Sequence, residues 1–335
     1  MKTEMGYKFK GSGFEAPEEK RKYEKPDDKL AAVLEEWLAA TNRMNSDKTL
    51  YSSAVKLIKP LKPSITDAHA LLLRHQDHPR FNHLGLFTSA IYNQSPDEVI
   101  VYDLGIKAFH IGHLLKKNKI LINKTDLSYG FGIRANGTIV NLGTAYGGIE
   151  GACQKAHGTC INYGQIDGSF GAESKGAILN YGNTKHLGNH SKGLIANLGK
   201  TESSGEYSTG PILNFGAVEN HLGGKAKGPV VNAGVGGFNV AHDATGIVIS
   251  TRTPTSYGDL DMARAVARYD YSGRQSFAPM KQKMQIIEKR IEQIRALFEK
   301  GRNDYRKAIE TLKELGSPEK ISTDLEELVR KANGA

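Results

Sequence analysis

The chain has 335 residues, of which 39% are hydrophobic and 24% are charged, so it is long enough for two or three folded units with sizeable cores. No stretch approaches the roughly 18 consecutive apolar residues of a transmembrane helix, and the first ten residues lack the apolar region of a secretory signal, which argues against the membrane classes and predicts a cytoplasmic protein. The two cysteines fit that compartment, and we expect Cys160 to act as a small core residue.

The net charge of +9 raises the question of a nucleic-acid partner. Basic residues exceed acidic ones by three in each of the segments 1–118, 119–252 and 253–335. Nucleic-acid-binding surfaces usually concentrate Lys and Arg on one element or face, and the linear sequence shows no such concentration. Folding can still gather charges that are far apart in the chain, so contact with RNA or a ribonucleoprotein particle stays open.

The N-terminal third divides into a tail and a domain. Residues 1–28 are rich in Lys, Glu, Gly and Pro, which predicts a flexible charged tail. Residues 29–111 predict an α-rich domain with one or two strands. Apolar residues between Leu30 and Leu38 recur at helical spacing, a further helix begins at Ser64, and residues 99–104 have the composition of a strand.

A histidine-rich stretch lies inside this domain. A His-x-x-His spacing on a helix places two imidazoles on one face, as zinc or another divalent metal requires. The signal is weak, because no His-Glu-x-x-His element is present and Pro79 interrupts the helix. The alternative is that these histidines are surface or capping residues, and apart from this metal we expect no cofactor. The candidate ligands are His69, His75, His78 and His83.

The central third contains an internal repeat. Asparagines recur every 17 to 21 residues in a pattern of small-x4-Gly-x-aliphatic-aliphatic-Asn-apolar-Gly. A fixed period of this size predicts a solenoid, and short β runs bounded by glycine predict a single-stranded parallel β-helix of about eight coils of about 18 residues over 112–250. Glycines are expected at the positive-φ corners. The repeated residues are Asn123, Asn141, Asn162, Asn180, Asn197, Asn214 and Asn232, followed by the variant Ser250.

Two rows of this repeat suggest roles. Stacked at one coil spacing, each asparagine amide can donate to the next, which predicts a structural ladder along a buried corner. The position after the asparagine forms an apolar stripe, which strict strand alternation cannot bury together with the aliphatic row before the asparagine. We favour a stripe that is covered by another element or by another chain. The alternative is that the asparagine corner breaks the alternation and turns every row inward. The stripe consists of Leu142, Tyr163, Tyr181, Leu198 and Phe215.

The coil over 130–143 carries glycines at Gly130, Gly132, Gly137 and Gly143. It resembles the Gly-x-Gly-x-Gly repeat of the right-handed β-helix domain at the C-terminal end of glutamate synthase and in a formylmethanofuran dehydrogenase subunit. The resemblance covers residues 112–250 at most. It implies a scaffolding β-helix, and no catalytic residue carries over from it.

The C-terminal third is predicted to be helical. Residues 251–279 predict a cap and connector, and residues 280–335 predict a helical hairpin or coiled coil, because two interleaved apolar series recur every seven residues. Gly301 either weakens one long helix or turns a hairpin. The last helix, the solenoid stripe or another subunit must cover the seam. The seam consists of Met284, Ile287, Ile291, Ile294, Phe298, Tyr305 and Leu312.

The sequence therefore predicts an α+β multidomain protein with a central β-helix between two helical regions. The favoured function is a non-catalytic scaffold or adaptor that binds a protein partner, or a second copy of itself, through the C-terminal helices. The first alternative is a basic factor that docks on RNA or a ribonucleoprotein particle such as the ribosome. The second is an enzyme subunit with a metal on the N-terminal histidines.

Overall fold

The structure of the chain is a computed structural model, and it describes residues 27–41, 46–235, 239–251 and 278–332. Within these residues, four helices come first, sixteen strands follow and three helices end the chain. The strands form a parallel β-solenoid of about eight turns, which confirms the predicted fold class. The predicted tail and the predicted connector fall almost entirely outside the described residues.

The N-terminal helices are centred on α4. Polar caps set three of the starts: the Asp27 side chain accepts a hydrogen bond from the Lys29 N–H, the Ser46 side chain accepts one from the Thr49 N–H, and Ser64 and Asp67 form a capping box. Helix α4 packs against α2 and α3 and is buried along most of its length, so it forms the middle of the bundle. The helices are α1 Asp28–Ala40, α2 Asp47–Ile58, α3 Ile65–Arg74 and α4 Phe81–Gln94.

The solenoid is built from two parallel sheets. The first, nine-stranded sheet contains β1 and all the even-numbered strands, and the second, seven-stranded sheet contains the remaining odd-numbered strands. The strands are β1 Val99–Tyr102, β2 Ile120–Asn123, β3 Asp126–Leu127, β4 Thr138–Asn141, β5 Thr144–Ala152, β6 Cys160–Asn162, β7 Gln165–Phe170, β8 Ile178–Asn180, β9 Asn183–Leu187, β10 Ile195–Asn197, β11 Lys200–Ser204, β12 Ile212–Asn214, β13 Ala217–Leu222, β14 Val230–Asn232, β15 Asn239–Val240 and β16 Val248–Ser250.

The repeated asparagines end the strands of the first sheet from β2 to β14 and form a continuous ladder, as predicted. Parallel pairing places each one beside its equivalent in the next coil. The side-chain Nδ2 of each donates to Oδ1 of the next at 2.8–2.9 Å, from Asn123 to Asn232. Several amides also donate to a carbonyl at the corner, as Asn162 does to Gly164. The ladder is buried, so each bond is shielded from water.

Two different constraints explain the glycines of the repeat. The small residue that precedes the turn has a positive φ, as expected, and Gly171 is an example at +72°. The glycines that flank the first-sheet strands are required for another reason. A Cβ on Gly176 would lie 1.8 Å from the Gly158 carbonyl oxygen, and one on Gly182 would lie 2.0 Å from that of Gly164. Successive coils approach too closely there for any side chain.

The N-terminal helices close one end of the solenoid and share its core. The inward row of the first sheet, which includes Ile139 and Ile178, belongs to the same apolar cluster as Trp37 and Leu72 of the helices. The first sheet begins at Val99, because β1 pairs with β2 in parallel register. The solenoid sheet therefore starts earlier than the boundary at 112 that the sequence suggested, and the helical region is fused to it.

The C-terminal segment forms a helical hairpin followed by a third helix. Helix α5 spans Ala278–Lys300, α6 spans Tyr305–Leu315 and α7 spans Pro318–Ala332, and α5 packs against the other two. Gly301 lies in the turn after α5. A Cβ there would lie 2.7 Å from the Cα of Ala308, so this position accepts only glycine at the present helix separation.

Replacing Asn180 by Ala should lower the free energy of unfolding by about 2–4 kcal/mol, because it interrupts the ladder and leaves Asn197 Oδ1 without its donor. The matched control is Asn183→Ala, an exposed asparagine three residues later, which should change stability by less than about 0.5 kcal/mol. Urea unfolding followed by circular dichroism measures both. Equal losses for the two variants would contradict a special role for the ladder.

Candidate functional site

The apolar stripe lies beneath the C-terminal helices of the same chain. Tyr163, Tyr181, Leu198 and Phe215 are buried and Leu142 is partly buried, in an apolar cluster separate from the solenoid interior. The outward aliphatic row of the first sheet belongs to this cluster as well. Its members are Ile122, Val140, Ile161, Leu179, Ala196, Leu213, Val231 and Ile249.

The predicted seam faces this same surface. Ile287, Ile291, Ile294, Phe298 and Tyr305 are buried in the cluster and Leu312 packs against it, together with residues of α7. The side chain of Met284 lies outside the described residues. The two apolar surfaces that the sequence singled out for interactions thus pack against each other within one chain. Neither is left exposed to receive a partner in the way that a coiled-coil seam would be.

Two tyrosines of the stripe anchor the hairpin with polar contacts. The Tyr163 hydroxyl donates to the Gly301 carbonyl at 2.5 Å, and the Tyr181 hydroxyl donates to the Phe298 carbonyl at 2.9 Å. Their rings are stacked, with centroids 4.9 Å apart. Burial raises the pKa of both hydroxyls well above the usual range, so they remain protonated donors. The contacts fix the C-terminal end of α5 beside the two coils that contain Tyr163 and Tyr181.

The four candidate metal ligands are not brought together. Nε2 of His69 lies 2.9 Å from the Tyr92 hydroxyl in the helical core. His75 lies 3.7 Å from Glu35, while Nδ1 of His78 accepts a hydrogen bond from the Arg80 backbone. Across the part of the chain that the structure describes, no three His, Cys, Asp or Glu side chains are placed to hold a metal ion. Helix α3 ends at Arg74, so the spaced pair His75 and His78 lies in the turn after the helix, with ring centroids 6.2 Å apart and no third ligand beside them among the described residues.

A different histidine has an unusual environment. His113 is buried where the N-terminal helices meet the first coil, and desolvation lowers its pKa to about 4, with a further contribution from His110. Neither ring nitrogen has a hydrogen-bond partner among the described residues.

Both cysteines are buried too, and burial raises the pKa of Cys153, which opposes thiolate chemistry.

The main feature that sequence reasoning missed is a cleft on the edge of the solenoid where the second sheet turns back to the first. It has a volume of about 720 Å³, and its lining includes Arg134, Lys155, Lys175, His190 and Lys192. The signal was present in the repeat. These residues stand two and four positions after the small residue of their coils, so the repeat itself aligns them on one edge.

Comparisons of the chain with protein-family models, with curated proteins and with solved structures return no match. The resemblance of residues 112–250 to the Gly-x-Gly-x-Gly β-helix domain therefore stays a prediction. Among the helices in the described ranges, none is long and apolar enough to cross a membrane.

Replacing both Tyr163 and Tyr181 by Phe should loosen the C-terminal helices without unfolding the solenoid. The two lost hydrogen bonds should lower the free energy of local opening of α5 and α6 by about 1–3 kcal/mol. Hydrogen exchange followed by mass spectrometry measures this. Tyr207→Phe, at an exposed tyrosine, is the control and should leave exchange unchanged. Faster exchange spread evenly over the solenoid strands would show that the contacts do not act locally.

The burial of His113 predicts that the protein becomes less stable as the pH is lowered. The folded state keeps the ring neutral down to about pH 4, whereas the unfolded chain takes up a proton below about pH 6.5. Stability should therefore decrease between these values, by about 2 kcal/mol on going from pH 8 to pH 5. His113→Leu should remove this part of the decrease, and His157→Leu, at an exposed site, should not. Denaturant unfolding at several pH values tests this, and identical profiles for His113→Leu and the unchanged protein would contradict it.

Proposed function

We propose that the chain is a scaffold for protein assembly, in which a rigid β-solenoid holds terminal helices in fixed positions. The observation that carries the proposal is the continuity of packing. One apolar core runs from the N-terminal helices through the inward row of the solenoid, and a second joins its outward face to α5, α6 and α7. Helices packed in this way keep constant distances from one another, which is what an assembly platform requires.

The ladder and the tyrosine anchors support the same proposal. The asparagine bonds resist slippage between coils, and the Tyr163 and Tyr181 contacts fix the hairpin on the sheet. Because the seam is used within the chain, the surface offered to a protein partner or a second copy is the outward, polar face of the helices. Lys307 and Glu310 are exposed on that face of α6.

The experiment places a photo-crosslinking amino acid at Lys307 and, in a matched variant, at Glu219, which is exposed on the second sheet. Irradiation in cells of the source organism should give a discrete adduct from position 307 that is absent or much weaker from position 219. Mass spectrometry of the adduct distinguishes a second copy of the chain from another protein. Light scattering of the purified chain measures self-association independently.

No adduct from position 307, or the same diffuse pattern from both positions, would contradict the proposal. Deleting the C-terminal helices is a poorer test. It would expose the outward aliphatic row and the stripe, so that aggregation could be mistaken for a changed partner.

A further inference from the structure

The turn edge of the solenoid presents two parallel rows of side chains. The first row has positive φ in each coil and contains Arg134, Lys155, Glu173, His190, Tyr207 and Lys225. The second row lies two residues later and contains Asn136, His157, Lys175, Lys192, Thr209 and Lys227. Backbone hydrogen bonds between coils keep both rows in register, as from Lys192 N–H to the Ser174 carbonyl.

The edge is strongly basic. Between Arg134 and Lys227, the two rows hold six Lys or Arg residues and one acidic residue, Glu173. All of these except Lys155 are exposed, and Lys155 is half-buried. The concentration of charge that the linear sequence did not show is therefore created by stacking coils, five of which contribute one or two cations while the coil of Tyr207 and Thr209 contributes none.

Most of these cations have no ion-pair partner among the described residues. Lys155 lies 3.6 Å from Glu173, but Arg134, Lys175 and Lys192 make no ion pair with any residue that the structure describes. The second sheet of the same coils differs. Its Lys185 lies 2.5 Å from Asp167, and its Lys200 lies 2.5 Å from Glu219. Arg134, Lys175 and Lys192 on the turn edge therefore keep their positive charge available for an external anion.

Aromatic rings continue the basic edge. His190 and Tyr207 are stacked with centroids 4.8 Å apart and planes inclined by 3°. The Lys225 ammonium lies 5.3 Å from the centre of the Tyr207 ring, and about half of the tyrosine surface is exposed. With His190 stacked on the Tyr207 ring and Lys225 over it, the exposed edge of the ring is the part that can contact a base, beside cations that can contact phosphates.

We propose that the turn edge binds the phosphate backbone of a single-stranded nucleic acid, with Arg134, Lys175 and Lys192 contacting phosphates and Tyr207 contacting a base. A linear polyanion matches a line of cations set along one edge at multiples of the coil spacing of roughly 4.8 Å. The cleft of about 720 Å³ on this edge is lined by Arg134, Lys175 and Lys192, so it places these cations around one recess. This site is independent of the scaffold proposal, because it uses the turn edge, whereas the scaffold proposal uses the C-terminal helices on the outward face of the first sheet.

The test measures fluorescence polarisation of a labelled RNA of about 20 nucleotides with the full chain, between about 50 and 400 mM KCl. Affinity should fall steeply with salt. The double variant Lys175→Gln with Lys192→Gln should weaken binding roughly tenfold near 0.1 M salt and reduce the slope of log affinity against log salt by about 1.4. Tyr207→Ala should weaken binding at least roughly fivefold.

The matched control is the double variant Lys185→Gln with Lys200→Gln, which removes the same charge from neighbouring coils on the second sheet. It should bind RNA within about twofold of the unchanged protein, because both lysines are already paired. Thermal unfolding verifies that each variant is folded.

Three results would overturn the proposal. The first is the absence of salt-dependent RNA binding by the unchanged protein. The second is an equal loss in the two double variants, which would indicate attraction to net charge alone. The third is competition by heparin or polyglutamate as effective as by unlabelled RNA at equal charge, together with unchanged binding by Tyr207→Ala. That result would assign the edge to acidic polymers other than nucleic acids.

Discussion

The structure depends on an unbroken parallel register between successive coils. The asparagine ladder requires that register, because an amide displaced by one residue would point to the other face of the strand and lose both its bonds. The flanking glycines require it too, since their missing side chains allow each coil to approach the carbonyls of the preceding one. Both features are repeated in successive coils and the ladder is buried, so a local error would be costly in every neighbouring coil.

Differences in coil length are accommodated in the second sheet and leave the strand register of the first sheet unchanged. The coil between Asn141 and Asn162 is the longest, and its additional residues enlarge β5, where pairing with β7 shifts between Gly147 and Ala152. The first sheet keeps direct pairing in the same coil, from Ile139 with Cys160 to Asn141 with Asn162. The second sheet therefore tolerates insertions, while the first sheet carries the constraints.

The register also determines which surfaces are left for function. The outward face of the first sheet is apolar and is covered by the chain's own helices, and the N-terminal end is closed by the helical bundle. The second sheet pairs its lysines with acidic neighbours. The turn edge remains as a face on which Arg134, Lys175 and Lys192 have no ion-pair partner among the described residues. A repeat period of 17 or 18 residues converts charges that are evenly distributed along the chain into a line on one edge.

Much of the solenoid could be predicted from the sequence because its determinants are local and periodic. The spacing of Asn141, Asn162 and Asn180 reports coil length directly, and the predicted ladder needs only that spacing and the geometry of an amide. The heptad spacing of residues such as Ile287 and Ile294 likewise predicted helices with one apolar face. Periodicity states which face is buried, but it does not state what buries it.

Tertiary structure decided the matters that depend on contacts between distant segments. The stripe and the seam are both apolar surfaces that must be covered. Folding brings Tyr181 of the stripe to Phe298 of the seam, so that the two surfaces cover each other. The metal site on the histidines stays a prediction, because α3 ends at Arg74, before His75 and His78, and no three His, Cys, Asp or Glu side chains are grouped for a metal among the described residues. The cationic edge was hidden because its residues are separated by whole coils. The sequence determined the period, and the stacking of the coils determined which side chains that period aligns.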